Sequence, residues 1–264
     1  MSYVSLTYWD LLAAAVLMLF NGMVSLGFNL GLERVLTINS LRMVAQLALI
    51  GFVLKFIFAQ TSPLWTAALA LVMVLVAGYE VQARQASRIK GWLSYGLATS
   101  TLLFVGVSAT IYTVAVVIGP QPWYAPRYMV PVLGMVLGNM LTGLALTLNT
   151  LSESAKAERN AIEARIALGA SRLEAMGDVL RRALRTGMMP IINAMAASGI
   201  VSLPGMMTGQ ILSGIDPVEA AKYQILIMFL ISGSTALAIF LAALGGVHLL
   251  TDQRHRLRLD RLQG

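Results

Sequence analysis

Lys156-Ala-Glu-Arg-Asn-Ala-Ile-Glu-Ala-Arg-Ile-Ala-Leu-Gly-Ala-Ser171 lies inside a polar run of about forty residues that opens at Thr150. It is the one long polar stretch in 264 residues, and nearly everything on either side of it is lipid-soluble. The chain is 58% hydrophobic, with a mean hydropathy of +0.76, and only 12% of its residues are charged. That charged share is about half of what a soluble domain carries. Several apolar runs reach the roughly 20 residues that cross a bilayer as a helix. Backbone groups in hydrocarbon must be satisfied within the segment, so these runs are helices, and the period-two alternation of a membrane barrel is absent. The sequence therefore describes an all-α, polytopic helical membrane protein, a single transmembrane domain over residues 1–264 with one large polar loop, 150–187.

Seven crossings are expected, at about Asp10–Asn29, Leu41–Phe58, Leu64–Tyr79, Tyr95–Ile118, Arg127–Leu148, Met188–Leu212 and Pro217–Leu250. The last is long for one crossing, and an exposed turn is expected at its start. Of the 19 Lys and Arg, all but Lys55, Arg127 and Lys222 fall in connections on one side of this scheme. Cytoplasmic loops carry the basic excess, which puts the N-terminus outside and the polar loop and C-terminus inside. Trp9, Trp65, Trp92 and Trp123 all fall at span ends, where amphipathic rings settle. The net charge of +7 is thus a matter of topology, and no nucleic-acid partner is expected. The tail from His255 to Arg261 could meet anionic lipid or nucleic acid, but reads first as a positive-inside anchor. Without a basic leader, and with Asp10 interrupting the first apolar run, no cleaved signal peptide is expected. The absence of cysteine removes disulfides and thiol chemistry.

Punctuation divides the polar loop into two short helices. Asn160 and Glu163 have capping-box spacing, and Gly169 supplies a stop. Ser171 and Glu174 form a second box, opening a helix expected to run to about Thr186 with Arg181, Arg182 and Arg185 in its last turns. The first helix, Ala161–Leu168, is too short to stand alone in water and needs a surface. Ile162, Ile166 and Leu168 are its apolar contacts, ringed by Glu158, Arg159, Glu163 and Arg165. A plain surface linker fits the periodicity equally well.

Glu163-Ala-Arg-Ile-Ala-Leu-Gly169-Ala-Ser resembles the Glu-Ala-Ala…Gly coupling loop of ATP-binding-cassette (ABC) transporter permeases. The match rests on Glu163, Ala164 and Gly169, and departs at Arg165, where the family has a second alanine. Ile200-Val-Ser-Leu-Pro-Gly-Met-Met-Thr-Gly-Gln-Ile-Leu-Ser-Gly214, with Tyr223-Gln-Ile-Leu-Ile-Met-Phe-Leu-Ile231, is similar to the FetB-type permeases of that class. These are membrane subunits of a bacterial system implicated in iron export, with plant relatives linked to aluminium tolerance and nucleotide-sugar transport. The resemblance implies a permease in the bacterial inner membrane, two copies of it, and two copies of a cytoplasmic ABC ATPase. Each ATPase would dock on the short helix through Ile162, Glu163, Ala164, Arg165, Ile166 and Gly169. No Gly-x-x-x-x-Gly-Lys-Ser/Thr loop occurs, so this chain binds no cofactor of its own and ATP and Mg would sit on the partner.

Gly134-Met-Val-Leu-Gly-Asn139 and Gly205-Met-Met-Thr-Gly-Gln210 share a pattern, each after a proline, Pro131 or Pro204. Small residues four apart permit close helix approach, within one chain or between two copies. The other reading is that Met135, Asn139, Met206 and Gln210 line a translocation path. Met195, Gly199, Ser202, Met206 and Gln210 share one face if the sixth span is one helix, with Met207 beside them and Pro204 kinking or breaking it. Methionine is also a common core filler. Metal ligands are scarce: His248 and His255 lack partners at metal-site spacing, and Asp216 and Glu219 read as a helix cap, so no metal-binding residues are assigned. Glu33 and Glu80 sit at span ends. Rival readings are an ABC permease for an organic solute, or an ion-coupled transporter, which calls for mid-span carboxylates and repeats that are not evident. No enzyme motif appears.

Overall fold

The computed structural model describes residues 7–59, 62–252, 254 and 256–263. Within these, the chain is helical almost throughout, and six helices are long and apolar enough to cross a membrane: Trp9–Gly27, Glu33–Phe58, Pro63–Ala83, Trp92–Ile118, Pro126–Ala157 and Pro217–Leu250. It divides into two compact units, residues 1–61 with 212–214, and residues 62–211 with 215–264.

The first unit contains a hairpin of α1 (Tyr8–Gly27) and α2 (Glu33–Phe58). Asp10 does not disrupt α1 but starts it: its carboxylate accepts the Thr7 N–H and hydroxyl, both at 2.8 Å, satisfying donors that a helix start leaves open. At the turn, the buried Ser25 hydroxyl donates to Glu33 (2.9 Å) and accepts the Leu32 N–H (3.0 Å). Glu33 is therefore a turn-holding group. α2 begins eight residues earlier than hydropathy places it. Its polar opening stays helical because Thr37 and Ser40 return their hydroxyls to their own helix, to the Glu33 and Leu36 carbonyls, both at 2.8 Å.

The second unit is built around α6 (Pro126–Ala157), which packs against α3 (Pro63–Ala83), α9 (Gly177–Ala197) and α11 (Pro217–Leu250). Between α3 and α6, residues 92–118 form one continuous passage: α4 (Trp92–Thr101), a π-helical stretch Leu102–Val107, α5 (Ser108–Ile111) and a second π stretch Tyr112–Ile118. Gly119, at φ +65°, ends it in the left-handed region that favours glycine. The apolar core runs through Val74, Leu102, Leu133, Val136, Met140, Leu144, Ile227 and Ala238, side chains from four different helices.

At the α6–α9 crossing two glycines let the backbones meet. A Cβ on Gly187 would lie 1.9 Å from Thr147 Oγ1 and 2.9 Å from the Gly143 carbonyl oxygen; one on Gly143 would lie 2.7 Å from Ile239 Cδ1. The small-residue contact expected at Gly134/Gly138 and Gly205/Gly209 does not occur among the described residues of one chain. Nothing lies within 4 Å of a Cβ built on Gly138, Gly205 or Gly209, and only Met73 Cε lies near Gly134.

Lengths correct the expected spans. α6 has 32 residues, about 48 Å of helix against about 30 Å of hydrocarbon, so its last turns, beyond Leu148, project into the polar loop. α11 is one helix of 34 residues, and its first residues, Pro217, Val218 and Glu219, form the exposed turn expected at its start. The Asp216 carboxylate accepts the Val218 and Glu219 N–H groups at 2.9 and 3.3 Å, and Pro217 sits at the first position; Glu219 pairs with Lys222. The second loop helix does not stop at Thr186. After one turn, α8 (Arg172–Ala175), and a break at Met176, α9 runs on to Ala197. The expected sixth span, Met188–Leu212, is not one helix: α9 ends at Ala197 and α10 (Gly205–Leu212) resumes after a non-helical passage.

A second core closes one end of this unit. Ile89, Leu151, Ala155, Ile162, Ala175, Met176, Val179, Val247, Leu250 and Leu262 form it, so the polar loop, the α3–α4 connection and the C-terminal tail pack as one body. β1 (Arg88–Ile89) pairs antiparallel with β2 (Leu262–Gln263), and Asn149 and Lys156 of α6 reach the same connection at Ala86 and Ser87. Arg84, Arg88, Lys90, the loop cations and the tail cations are thereby gathered at this basic end.

Candidate functional site

The short loop helix is α7, Arg159–Ala167. Asn160 does not cap it. α6 reaches Ala157, only Glu158 separates the two helices, and the Glu158 carbonyl already accepts the Ile162 N–H at 3.0 Å, leaving Asn160 in the first turn. Its end follows the punctuation: Gly169 has φ +94°, the Ala170 N–H donates to the Arg165 carbonyl (3.0 Å), and the Gly169 N–H donates to Ile166 (2.9 Å). That paired pattern is the Schellman stop, which satisfies carbonyls left open at a helix end. Ser171 and Glu174 form the expected reciprocal box, with the Ser171 N–H on the Glu174 carboxylate at 2.8 Å.

The face of α7 is divided. Ile162 is 2% exposed, seated in the second core, and Ile166 is half-buried against the same cluster. Arg165 also turns toward its own chain, donating to the Ala175 carbonyl (3.3 Å) and the Asp178 carboxylate (2.7 Å). Asp178 receives Arg181 at 2.6 Å as well, and these donors, Arg165 first, hold its carboxyl below the ordinary range. Glu158 pairs with Arg182 of α9, and Glu163 with Arg159 at 2.8 Å. The outer side presents Glu163, Ala164, Gly169 and Leu168, the last 89% exposed. The six expected docking residues thus separate into Ile162, Arg165 and Ile166, which attach α7 to the rest of its own chain, and Glu163, Ala164 and Gly169, which face outward. Leu168 is the outward apolar group.

The second constellation lies where α9 breaks. From Arg185, the last charge on α9, to Ala197 is about 18 Å of helix, more than half of a 30 Å hydrocarbon layer. Ser198 is extended, and Gly199 takes φ +94°. The Val201 and Ser202 N–H groups both fold back to the Ala197 carbonyl at 3.1 Å, and the Gly199 N–H donates to Ser202 (2.9 Å). Glycine and the extended serine therefore stop the helix before Pro204 is reached. Ile200 and Val201 form a tip 96% and 82% exposed.

Met195, Gly199, Ser202, Met206 and Gln210 consequently do not share one helix face. Met195 is in the last turn of α9, Ser202 is in the break, Pro204 precedes α10, and Met206, Met207 and Gln210 are half-buried on α10. Met206 and Met135 both pack against the transmembrane core. Asn139 donates its amide to the Met135 carbonyl one turn back (2.9 Å). Gln210 Oε1 is buried without a hydrogen-bond partner, as are Gln224 Oε1 and Thr235 Oγ1 on α11. Gln224 and Thr235 carry no sequence pattern of their own; they stand out because their side-chain oxygens are buried in a largely apolar stretch of α11 with no partner. Among the described residues no three of His, Cys, Asp and Glu come together as metal ligands. His248 Nδ1 lies 2.8 Å from the Leu244 carbonyl, and His255 lies outside the described residues. The constellation offers thioethers, amides, hydroxyls and irregular backbone at membrane depth, all neutral donors.

A family model described as "Uncharacterised protein family (UPF0014)" matches residues 8–250. The "UPF0014 membrane protein slr1647" of Synechocystis is 38% identical over 194 residues, 72% of this chain and 73% of that protein. "Protein ALUMINUM SENSITIVE 3" of Arabidopsis thaliana is 35% identical over 226 residues, 86% of this chain and 81% of that one. The "Probable iron export permease protein FetB" of Escherichia coli is 28% identical over 259 residues, 98% of each chain. No solved structure matches.

Proposed function

Because the chain belongs to the UPF0014 family of multi-pass membrane proteins, we propose that it is the membrane-spanning permease subunit of an ABC exporter. Iron is the proposed cargo, and a separate cytoplasmic ATPase, docked on α7, supplies the energy. The working unit is two permeases and two ATPases in a bacterial inner membrane, with ATP and Mg held by the partner. The N-terminus faces out and the basic end faces in. With α9, the break and α10 counted as one discontinuous crossing, the odd number that this orientation requires is kept.

The observation that carries the reading is the divided face of α7. A nine-residue helix is fastened to its own chain by Ile162 and Arg165, while Ala164 and Leu168 are held out to solvent. Such a helix can transmit force only because its inner face is fixed. ATPase closure would then move α6 and α9 as rigid bodies, changing access to the irregular passage at 198–204. The iron assignment is supported by the full-length match to a protein named as a probable iron export permease.

The neutral side chains at and beside the break, Met195, Ser202, Met206 and Gln210, favour a second cargo, an organic solute such as a nucleotide sugar. ATP hydrolysis by the reconstituted complex distinguishes the two: an iron exporter is stimulated by ferrous iron, and a sugar exporter ignores it. The docking itself is tested by co-purifying the permease with the cassette ATPase and comparing Glu163→Lys with wild type. Transport is expected to fall while the permease remains inserted. Transport by the purified permease without nucleotide or partner would overturn the proposal.

A further inference from the structure

At the basic end, a cavity of about 490 Å³ is lined by Arg172, His248, Thr251, Asp252, Arg254, Arg256 and Arg261. We propose that this cavity is a binding site for a phosphate group, carried by an anionic lipid headgroup or by a free phosphate anion, bridging the exit of α7, the end of α11 and the tail.

Charge is the first argument. Four guanidinium groups and an imidazole face one carboxylate. That carboxylate is already engaged in shaping the tail. Asp252 Oδ1 accepts the Arg254 and Arg256 N–H groups, both at 2.9 Å, and Oδ2 accepts Arg256 Nε at 3.0 Å. These bonds bend the tail into a tight turn and bring Arg254 and Arg256 back to the helix end. The planar guanidinium fork matches phosphate oxygens two at a time, and the cavity volume lies within the range of about 300–1,000 Å³ usual for small-molecule sites.

The end of a helix ordinarily repels anions, because its open carbonyls carry partial negative charge. Here three of the last four carbonyls are covered. Thr251 Oγ1 donates to Val247 (2.8 Å), Arg261 Nη1 to Leu249 (2.8 Å), and the Arg258 N–H to Leu250 (2.8 Å). The last two donors come from the returning tail, so the segment that brings the cations also silences the opposing dipole.

The positive-inside effect depends on how many cations a loop carries and requires no folded pocket. This tail is folded. Thr251 bridges Leu257, β2 pairs with β1, the Lys90 N–H donates to the Arg261 carbonyl (2.6 Å), and Leu262 is buried in the second core. β1 ends three residues before Trp92, whose largely exposed ring marks the membrane–water boundary, so Arg261 is tethered at headgroup depth.

The test uses the intact permease without any ATPase, so its result does not depend on the proposed coupling. Adducts of phosphatidylglycerol and of phosphatidylcholine are titrated by native mass spectrometry. Inorganic pyrophosphate is titrated against the permease in phosphatidylcholine nanodiscs. A guanidinium hydrogen-bonded directly to phosphate contributes about ten-fold in affinity, so Arg254→Gln with Arg256→Gln should weaken binding about 100-fold. Arg172→Gln, on a different element, should weaken it about ten-fold. The control pair Arg84→Gln with Lys90→Gln removes as much charge from the same end and should change affinity by about two-fold or less. Variant-sensitive binding of phosphatidylglycerol alone identifies a headgroup site, and variant-sensitive binding of pyrophosphate identifies a free-phosphate site. Equal losses in the pocket and control pairs, or no loss in the pocket variants, overturn the proposal.

Discussion

Ile162→Ala should detach α7 from the rest of its own chain. Ile162 is the one fully buried side chain of α7, in contact with the core formed by Leu151, Ala155, Val179 and Leu250. The substitution removes three carbon groups at about 0.8 kcal/mol each, about 2.4 kcal/mol of transfer free energy. The residual cavity takes the loss to about 3 kcal/mol, inside the usual range of about 2–5 for such a truncation. A nine-residue helix has little stability of its own, so the loss falls directly on local opening. Hydrogen exchange of the α7 amides, measured by mass spectrometry on the purified protein, should accelerate about 100-fold, at 1.4 kcal/mol per factor of ten. Leu168→Ala is the internal comparison. Leu168 is 89% exposed, so its exchange and thermal midpoint should stay at wild-type values, while binding of the proposed ATPase weakens. Wild-type exchange of α7 in Ile162→Ala would show that the helix is not held by its own chain, and the division of its face would be wrong.

Gly187→Ala places a methyl group 1.9 Å from Thr147 Oγ1 and should destabilise the fold by about 1–3 kcal/mol in thermal melts. Adding Thr147→Ala removes that oxygen but leaves the Gly143 carbonyl at 2.9 Å, so the double variant should recover only in part. Gly169→Ala forces a side chain into φ +94° and should cost about 1–2 kcal/mol, read as faster exchange at the end of α7. Asp178 has a folded pKa lowered chiefly by Arg165, so its contribution is complete above the unfolded value of about 3.9 and is lost as pH falls through the lower folded value. The difference in thermal midpoint between wild type and Asp178→Asn should therefore be constant from neutral pH to about 4 and vanish below it.

Hydropathy locates all six of the long apolar helices, because desolvation of the backbone leaves a 20-residue apolar run no alternative to helix. It misplaces their ends for identifiable reasons. Thr37 and Ser40 bond to their own helix and read as loop by polarity. Residues 149–157 continue α6 because Leu151 and Ala155 are buried beneath α7, a tertiary contact that a window of hydropathy does not contain. Pro204 is the conspicuous breaker in the sequence, yet Ser198 and Gly199 interrupt the helix first; a glycine that needs a positive φ looks in sequence like any other glycine. On α7 the Gly169 stop is legible from residue type, but the inward direction of Ile162 and Arg165 is not. It depends on Asp178 and Val179, which reach α7 only because α8 turns the chain back.

The interruption at Ser198 also limits how far a mechanical signal can travel. α9 is a helix of 21 residues, about 31 Å, with Arg165 bonded near its foot at Asp178, Pro190 inside it removing one rung of the backbone ladder, and its head at the irregular passage. A tilt imposed at the foot would pass along this helix, bending at Pro190, and end in the non-helical backbone above it, so α10 need not follow. On the proposed coupling, a stroke delivered at α7 would be concentrated at the level of that break instead of being spread along the whole crossing.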